Sequence, residues 1–246
     1  MHFPVYLGIG TWQIHPHPFF ESLGYMVAFR LLIRNVKSDT IPFAHRSSII
    51  LGGMVGALLG AKGLVLLQHI DWVWQDWHQW LLLILQGKTV VGALLGALLG
   101  VELTKRWIGQ TQSTGDAFVY PLLVGTAIGR IGCFLTGLSD RTYGVATTLP
   151  WGVDFGDGIL RHPTQLYEIL FLGLLAVGLK WHSRRPYRSG DLFQLYLFAY
   201  LGFRFAIDAL KPDFHPFLGL SAVQMACVLG MIYCTHQLTK RLALKT

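Results

Sequence analysis

The sequence predicts an all-α polytopic membrane protein with about seven transmembrane helices, folded as a single integral-membrane domain over residues 1–246. Three observations lead to this fold class. Of the 246 residues, 52% are hydrophobic and 13% are charged, about half the charged fraction of a typical soluble domain. The chain contains 28 Gly and many aromatic residues, as expected of close-packed transmembrane helices with aromatic side chains at the membrane surface. The third observation is a series of long apolar runs.

The apolar runs are each close to the ~20 residues that a helix needs to cross a bilayer. Seven can be drawn, at about residues 19–33, 48–68, 80–103, 117–137, 164–181, 190–210 and 217–236. The tryptophans between the second and third runs predict an interfacial element at the membrane surface: Trp72, Trp74, Trp77 and Trp80. The longest connection, residues 138–163, is rich in Gly, Pro and Asp. It is predicted to be an irregular loop that either caps a site or simply connects two helices.

The distribution of Lys and Arg predicts an N-terminus outside the cell and a cytoplasmic C-terminus. In this orientation the cytoplasmic segments hold twelve basic side chains: Arg34, Lys37, Arg46, Lys105, Arg106, Lys180, Arg184, Arg185, Arg188, Lys240, Arg241 and Lys245. The external segments, which include the loop of residues 138–163, hold three: Arg141, Arg161 and Lys211. The cytoplasmic loops explain the net charge of +7, so the basic balance does not indicate a nucleic-acid partner.

Two features of the sequence predict helix packing rather than chemistry. The heptapeptide VGALLGA occurs at residues 55–61 and 91–97, and each copy belongs to a series of glycines spaced by four: Gly52, Gly56 and Gly60, then Gly92, Gly96 and Gly100. Small residues at this spacing let two helices approach closely in lipid, so we expect a packing seam. The cysteines Cys133, Cys227 and Cys234 lie in apolar runs without metal-ligand spacing. We therefore expect packing residues and no metal site.

Arg130 lies in the middle of the fourth apolar run, close to Gly129 and Gly132. An arginine keeps its charge in a protein, and its burial in a hydrocarbon-facing segment is costly unless it contacts a partner or water. The two glycines let a backbone or a ligand approach closely. One hypothesis is a structural ion pair between helices. The other is a binding site, since a guanidinium group suits the bidentate binding of phosphate.

The predicted orientation brings most of the charged side chains of the spans into the outer half of the membrane: Glu21, Lys62, Lys88, Arg130, Glu168, Arg204 and Asp208. Structural ion pairs would be expected in both halves, so their convergence on one leaflet favours a functional site. A transport path would need polar groups through the inner half as well, and few are found there.

The fifth run begins with polar side chains that suit such a site. Gln165, Glu168 and Leu172 would share one helix face. An arginine of a neighbouring span is the natural partner of Glu168. His162 stands at the mouth of the site, just before the run, where it is either a general base or a structural histidine.

The sixth run supplies a second arginine within the membrane. Arg204 and Asp208 are spaced i,i+4 and therefore face the same way. The two side chains either neutralise each other or belong to a larger site. In the second case Arg130 and Arg204 together would form a receptor for a phosphate diester and would neutralise a departing phosphate in a transfer reaction.

Four motifs of this chain resemble signatures of the prolipoprotein diacylglyceryl transferases and occur in the same order. GRIGCFLTG (Gly129–Gly137) resembles a signature that begins Gly-Arg-x-Gly-Asn-Phe, and HPTQLYE (His162–Glu168) resembles His-Pro-Ser-Gln-Leu-Tyr-Glu. YLGFRFAID (Tyr200–Asp208) is similar to Tyr-x-x-Phe-Arg-x-x-x-Glu, and LSAVQ (Leu220–Gln224) is similar to a segment with Ser-x-Gly-Gln. Seven spans with an external N-terminus also agree with that family.

The resemblance implies a multi-pass enzyme of the bacterial inner or plasma membrane. Such enzymes move diacylglycerol from phosphatidylglycerol to the lipobox cysteine thiol of a prolipoprotein and release glycerol phosphate, without a metal or other cofactor. Their partners are phosphatidylglycerol, the lipobox peptide and the surrounding bilayer. Arg130 and Arg204 would bind the head group, and Tyr200 and Asp208 would support Arg204. The implied catalytic residues are Arg130, His162, Glu168, Arg204 and Asp208, and the implied phospholipid-binding residues are Lys62, Arg130, Gly132, Gln165, Tyr200 and Arg204.

The chain also departs from the family pattern at polar positions. The family's His-Gly-Gly motif reads Val91-Gly92-Ala93, its signature Asn is Cys133, and its Asn-Gly-Glu reads Thr136-Gly137-Leu138. Lys62 stands where the family tends to have arginine, which keeps the charge. Three hypotheses remain open: a divergent enzyme that uses His162 or Glu168 as its base, a related transferase with another acceptor, and a non-catalytic phospholipid-binding or transport protein.

Overall fold

The structure is a computed structural model that describes residues 3–35, 42–70, 81, 83–85, 87–211 and 219–243. Within these ranges the chain is mainly α-helical, which confirms the predicted all-α class. The long helices are α1 (Pro16–Asn35), α2 (Phe43–Gln68), α3 (Val90–Trp107), α4 (Val119–Thr136), α5 (Thr164–His182), α6 (Asp191–Asp208) and α7 (Ala222–Ala243).

Short elements connect some of these helices. The strands form two antiparallel pairs, β1 (Leu7–Ile9) with β2 (Trp12–Ile14) and β3 (Val153–Asp154) with β4 (Leu160–Arg161). One-turn 3-10 helices stand at both ends of α4, at Gly115–Phe118 and Gly137–Asp140. The connection of residues 138–163, predicted to be irregular, therefore contains a small hairpin as well as loop.

The helices coincide with the predicted apolar runs, but the third run is interrupted. That run was expected to span residues 80–103, and residues 81 and 83–85 are helical, whereas residues 87–89 are not and α3 begins at Val90. The Thr89 hydroxyl caps the helix by accepting a hydrogen bond of 3.2 Å from the Gly92 N–H. Lys88 therefore precedes the helix. The tryptophans of the predicted interfacial element lie outside the described residues: Trp72, Trp74, Trp77 and Trp80.

The LSAVQ segment forms the start of α7. The Ser221 hydroxyl accepts a hydrogen bond of 3.0 Å from the Gln224 N–H, and the Gln224 side-chain oxygen accepts one of 3.0 Å from the Ser221 N–H. These reciprocal bonds make a capping box, which satisfies two N–H groups that a helix terminus otherwise leaves unpaired. The serine and glutamine of this motif therefore fix the helix start.

The chain forms two compact units. The first consists of residues 1–38 and 114–212 and contains α1, α4, α5, α6 and both strand pairs. The second consists of residues 39–113 and 213–246 and contains α2, α3 and α7. Two described segments are long and apolar enough to cross a membrane: His45–Gln68 and Gly115–Asp140. The other spans and the orientation of the chain stay predictions.

In the second unit, α2 and α3 meet along the two glycine series, which we call the glycine seam: Gly52, Gly56 and Gly60 against Gly92, Gly96 and Gly100. A Cβ atom added to Gly56 would collide with the carbonyl oxygen of Gly96, and one added to Gly60 would collide with that of Gly92. The two backbones therefore touch without side chains between them. This contact confirms the packing seam and explains the repeated heptapeptide.

In the first unit, small residues bring α1 against α4. A Cβ atom on Gly24 would lie 2.8 Å from the carbonyl oxygen of Gly125. One on Gly132 would lie 2.8 Å from Cβ of Phe20 and 3.4 Å from Cα of His17. Neither glycine has room for a side chain, so the first turn of α1 rests directly on α4. This packing brings His17 beside the residues that surround Gly132.

Candidate functional site

The centre of the first unit is a buried group of charged and polar side chains from three helices, which we call the arginine cluster: Arg130, Glu168, Tyr200 and Arg204. Oε2 of Glu168 lies 2.9 Å from Nε of Arg130 and 3.0 Å from Nη1 of Arg204. The Tyr200 hydroxyl donates a hydrogen bond of 2.7 Å to Oε1 of the same carboxylate. A single carboxylate therefore holds two guanidinium groups and one phenol.

Helical spacing accounts for the way these side chains converge. On α5, Gln165, Glu168 and Leu172 are each no more than 2% exposed and line one face of the helix, as the sequence predicted. On α6, Tyr200 and Arg204 are four residues apart, so their side chains lie one turn above the other on the face toward α5. The predicted pairing of Glu168 with an arginine is confirmed, and both arginines take part.

The contacts of Arg204 extend beyond its own helix. The sequence left open whether Arg204 and Asp208 neutralise each other or belong to a larger site, and the structure adds Glu168 of α5 as an ion-pair partner of Arg204. The Tyr200 hydroxyl binds the same carboxylate, so its expected support of Arg204 would act through Glu168 and stays a prediction. Glu168 comes from another helix, and the i,i+4 spacing within α6 does not predict that contact. Asp208 is itself buried, with 1% exposure.

Gln165 lies on the same face of α5 and is also buried. Its side-chain nitrogen donates a hydrogen bond of 3.0 Å to the Thr142 hydroxyl. Its side-chain oxygen has no hydrogen-bond partner in the described part of the chain. A buried acceptor without a partner costs free energy, so this amide can bind a hydroxyl or N–H group of a ligand.

The polar contact described for His162 lies outside the arginine cluster. Its Nδ1 lies 3.1 Å from the Tyr167 hydroxyl, which also accepts a hydrogen bond of 2.8 Å from the Trp151 indole N–H. The described polar contact of the imidazole ring is therefore with a tyrosine at the start of α5. Its role as general base stays a prediction.

Lys62 and Gly132, two other candidate phospholipid-binding residues, make contacts within the protein. Lys62 belongs to the second unit, where its Nζ donates hydrogen bonds of 2.8 Å to the Gly87 carbonyl and 3.4 Å to the Leu85 carbonyl. Gly132 supports the close approach of α1 and α4. A direct role of either residue in lipid binding stays a prediction.

The structure brings together three side chains that the sequence did not connect: His17, Cys133 and Asp140. Nδ1 of His17 lies 2.6 Å from Oδ1 of Asp140 and 4.0 Å from Sγ of Cys133. Nη1 of Arg130 donates to the same sulfur at 3.7 Å. From the sequence, Cys133 was expected to be a packing residue, because the cysteines do not have the spacing of metal ligands. No spacing rule applies here, because His17 and Cys133 are 116 residues apart and belong to different helices.

The hairpin of β3 and β4 carries exposed charged side chains. Oδ1 of Asp154 accepts hydrogen bonds from the backbone N–H groups of Gly156, Asp157 and Gly158, which orders the turn. Nη1 of Arg161 lies 2.6 Å from Oδ1 of Asp157. The hydrogen bond from this guanidinium lowers the pKa of Asp157 below its usual value. The pair joins the turn to β4 and is distinct from the buried cluster.

The chain matches a family model described as prolipoprotein diacylglyceryl transferase over residues 4–239. It is 32% identical over 232 residues to the phosphatidylglycerol–prolipoprotein diacylglyceryl transferase of Methylobacillus flagellatus, and the match covers 91% of this chain and 80% of that protein. The protein of the same name from Clostridium tetani is 31% identical over 219 residues, with 85% of this chain and 86% of that protein covered. The family match therefore includes every residue of the arginine cluster.

Proposed function

The chain belongs to the prolipoprotein diacylglyceryl transferase family, and we propose that it transfers a diacylglyceryl group from phosphatidylglycerol to the lipobox cysteine thiol of a prolipoprotein. Glycerol phosphate leaves in this reaction. Relatives of about 30% identity carry the name of this activity. The observation that carries the proposal within this chain is the pair of buried guanidinium groups that share the Glu168 carboxylate.

The geometry of the arginine cluster suits a phosphate diester. Oε2 of Glu168 lies within 3.0 Å of a nitrogen of both Arg130 and Arg204, and this is the distance of a charge-assisted hydrogen bond. An anionic phosphate oxygen close to this point would interact with both groups. When the bond between the glyceryl carbon and the phosphate oxygen breaks, the departing phosphate gains negative charge. Fixed guanidinium groups in a site of low dielectric stabilise that charge.

Glu168 orients the two arginines in this proposal. A carboxylate held by two guanidinium groups and a phenol is a poor base, since each contact stabilises its ionised form. The lipid phosphate would join the cluster or replace part of the contact with Glu168. Gln165 and Tyr200 add polar groups beside the head group. Asp208 of the same unit completes the set of side chains that we assign to the phospholipid site, and His162 remains a candidate base.

We further propose a seven-span protein of the bacterial inner membrane, with its N-terminus outside and its C-terminus in the cytoplasm. The polarity of α5 supports a lipid environment. Its polar side chains Gln165 and Glu168 face the interior, whereas Leu170, Leu174 and Val177 are 65–71% exposed. A helix with this inverted pattern is stable where its outer surface meets hydrocarbon. The outer half of the membrane is then the place where lipid and secreted peptide meet.

A transfer assay tests the proposal directly. The purified protein would be mixed with phosphatidylglycerol liposomes and a peptide that contains a lipobox cysteine, and the peptide mass and free glycerol phosphate would be followed. The expected result is a diacylglyceryl mass increase with an equal amount of glycerol phosphate. Glycerol phosphate without a modified peptide would indicate another acceptor. Neither product from correctly folded protein would contradict the proposed activity.

Binding of phosphatidylglycerol tests the role of the arginines separately from the reaction. We expect Arg130→Ala to weaken binding by roughly 10–100-fold, the value of a hydrogen bond to a charged group. Arg185→Ala is the matched arginine control, since Arg185 is exposed and outside the cluster. Cys133→Ser should retain most of the affinity. Binding would be measured by native mass spectrometry in neutral detergent, and unchanged affinity of Arg130→Ala would remove the central claim.

A further inference from the structure

Gln165 of α5 and Arg204 of α6 each have one buried polar atom that makes no hydrogen bond to any residue that the structure describes. These atoms are the side-chain oxygen of Gln165 and Nε of Arg204. The first is an acceptor and the second is a donor. Because an unmade hydrogen bond at a buried atom costs free energy, a ligand that satisfies both atoms has to bring a donor as well as an acceptor.

Both atoms belong to the surroundings of the arginine cluster. Gln165 precedes Glu168 by three residues on the same buried face of α5, which corresponds to about 4.5 Å along the helix axis. Nη1 of Arg204 contacts the Glu168 carboxylate at 3.0 Å, whereas Nε of the same guanidinium group remains for a ligand. The unpaired acceptor therefore lies about one helical turn from the groups that we assign to the phosphate.

A chain of hydrogen bonds sets the direction of the Gln165 amide. Oδ1 of Asp140 lies 2.6 Å from Nδ1 of His17, and its Oδ2 accepts a hydrogen bond of 2.6 Å from the Thr142 hydroxyl. A carboxylate in an ion pair accepts hydrogen bonds and donates none, so the Thr142 hydroxyl uses its one hydrogen on Asp140. That hydroxyl can then only accept from Gln165, whose side-chain nitrogen approaches it at 3.0 Å. The amide oxygen is thereby turned away from Thr142.

The backbone holds this chain of side chains in place. A Cβ atom on Gly132 would lie 3.4 Å from Cα of His17, so the first turn of α1 rests on α4. Asp140 lies in the 3-10 turn that directly follows α4. The Thr164 hydroxyl, at the start of α5, donates a hydrogen bond to the Thr142 carbonyl. The packing of α1, α4 and α5 thus fixes the direction of the amide.

The two unpaired atoms suit different parts of a phospholipid head group. An ionised phosphate diester has acceptor oxygens and no hydrogen, so it suits Nε of Arg204 and not the Gln165 oxygen. A hydroxyl group donates a hydrogen bond, and the head-group glycerol of phosphatidylglycerol has two hydroxyls close to its phosphate. The ammonium group of phosphatidylethanolamine would also donate, but it would bring a positive charge toward two guanidinium groups, and like charges repel.

We propose that Gln165 accepts a hydrogen bond from a head-group hydroxyl and thereby selects phosphatidylglycerol over phospholipids whose head group has no hydroxyl. Nε of Arg204 donates to the phosphate of the same lipid. Thr142 and the His17–Asp140 ion pair are positioning residues, because they fix the amide without needing to touch the lipid. This inference rests on the proposed function for the identity of the lipid.

The binding of two lipids with the same acyl chains tests the selection. Phosphatidylethanol has the same phosphate diester as phosphatidylglycerol and no hydroxyl. The affinity of the full chain for each lipid would be measured by native mass spectrometry in neutral detergent. We expect the wild type to bind phosphatidylglycerol roughly 3–10-fold more tightly, the value of one neutral hydrogen bond. Equal affinities would overturn the role assigned to Gln165 and leave the proposed transfer reaction intact.

Gln165→Met keeps the length of the side chain and removes the amide, so this variant should bind both lipids with equal affinity. Gln194→Met is the matched control, since Gln194 of α6 is also buried and its side-chain oxygen also has no partner among the described residues. It lies ten residues before Arg204, about 15 Å along the helix, and the control should keep the preference. A preference that persists in Gln165→Met, or that both variants lose equally, would overturn the proposal.

Thr142 tests how the amide is positioned. Thr142→Val removes the hydroxyl and keeps a similar shape, so the preference should fall while the affinity for phosphatidylethanol stays unchanged. Thr142→Ser keeps the hydroxyl and should retain the preference. A merely structural role would weaken the binding of both lipids equally, and that result would overturn the positioning role. Thermal unfolding establishes that the variants are folded.

Free glycerol phosphate carries the same hydroxyls and phosphate and is the product released in the proposed reaction. We expect it to bind at least about 10-fold less tightly than the lipid, because it lacks the apolar acyl chains. Equal affinity for glycerol phosphate and phosphatidylglycerol would assign the site to the product and overturn the selection of lipid. A folded protein that prefers phosphatidylglycerol but performs no transfer would instead contradict the proposed function and support the selection.

Discussion

The arginine cluster and the glycine seam are both contacts between apolar helices, but they are built on opposite principles. In the glycine seam, α2 and α3 meet backbone to backbone, and no side chain stands between Gly56 and Gly96. In the arginine cluster, the space between the helices is filled by charged side chains around Glu168. The seam stabilises the fold through close packing alone. Buried charges cost desolvation free energy, and this cost is why we propose that the cluster serves binding.

Glycine has two different uses in the two units. Each glycine of the seam faces another helix backbone, and the seam has the regular spacing of four residues. Gly132 has a similar lack of space, but it lies between Arg130 and Cys133 and brings His17 close to both. The same physical property, the absence of Cβ, therefore supports packing in one unit and the assembly of a polar site in the other.

The largest expected effect comes from breaking the arginine cluster with Glu168→Gln. The change leaves two buried guanidinium groups without their carboxylate, and loss of one partner from a buried ion pair costs about 3–5 kcal/mol. Thermal unfolding in neutral detergent measures this cost. Phosphatidylglycerol should stabilise the variant more than the wild type, because its phosphate supplies the missing negative charge.

Asp157→Asn is the matched control for that experiment, since Asp157 is exposed and pairs with Arg161 outside the buried cluster. This control should unfold close to the wild type. Equal unfolding temperatures for Glu168→Gln and Asp157→Asn would mean that the cluster is not an essential ion pair of the folded protein.

A smaller effect is expected from overpacking the glycine seam with Gly96→Leu. The new side chain would meet the carbonyl oxygen of Gly56, and overpacking of a close contact typically costs about 1–3 kcal/mol. Gly63→Ala is the control on α2, because a Cβ atom there has no neighbour within 4 Å. We expect that control to be neutral or slightly stabilising in thermal unfolding. Similar losses for both variants would show that the seam is not closely packed.

The smallest effect is expected from the exposed pair of Asp157 and Arg161. Asp157→Asn removes an ion pair in contact with water, and such pairs contribute little to stability. The pKa of Asp157 is lowered by Arg161, so the contribution is present above the ordinary pKa of an aspartate and is lost as the pH falls through the lowered value. Unfolding at neutral pH should match the wild type. A loss equal to that of Glu168→Gln would contradict the contrast between exposed and buried pairs.

The predicted helices and the polar face of α5 follow from periodicity, which needs no knowledge of neighbouring helices. Gln165, Glu168 and Leu172 share a face because a helix repeats every 3.6 residues. The importance of Arg130 also follows from the sequence, since a charge within an apolar run must find a partner in any fold. The start of α3 was harder to predict, because the short break at Gly87, Lys88 and Thr89 interrupts a run that is apolar on both sides.

The sequence by itself determined the helical class, the glycine seam and the need of Arg130 for an anionic partner. Each of these depends on local spacing or on the cost of an isolated charge. Only the tertiary structure decided that Glu168 lies between two arginines and that Cys133 meets His17 and Asp140. Those contacts join residues far apart in the chain, and they depend on how helices pack across glycines such as Gly132. The spacing of residues along one helix does not predict which side chain of another helix will contact them.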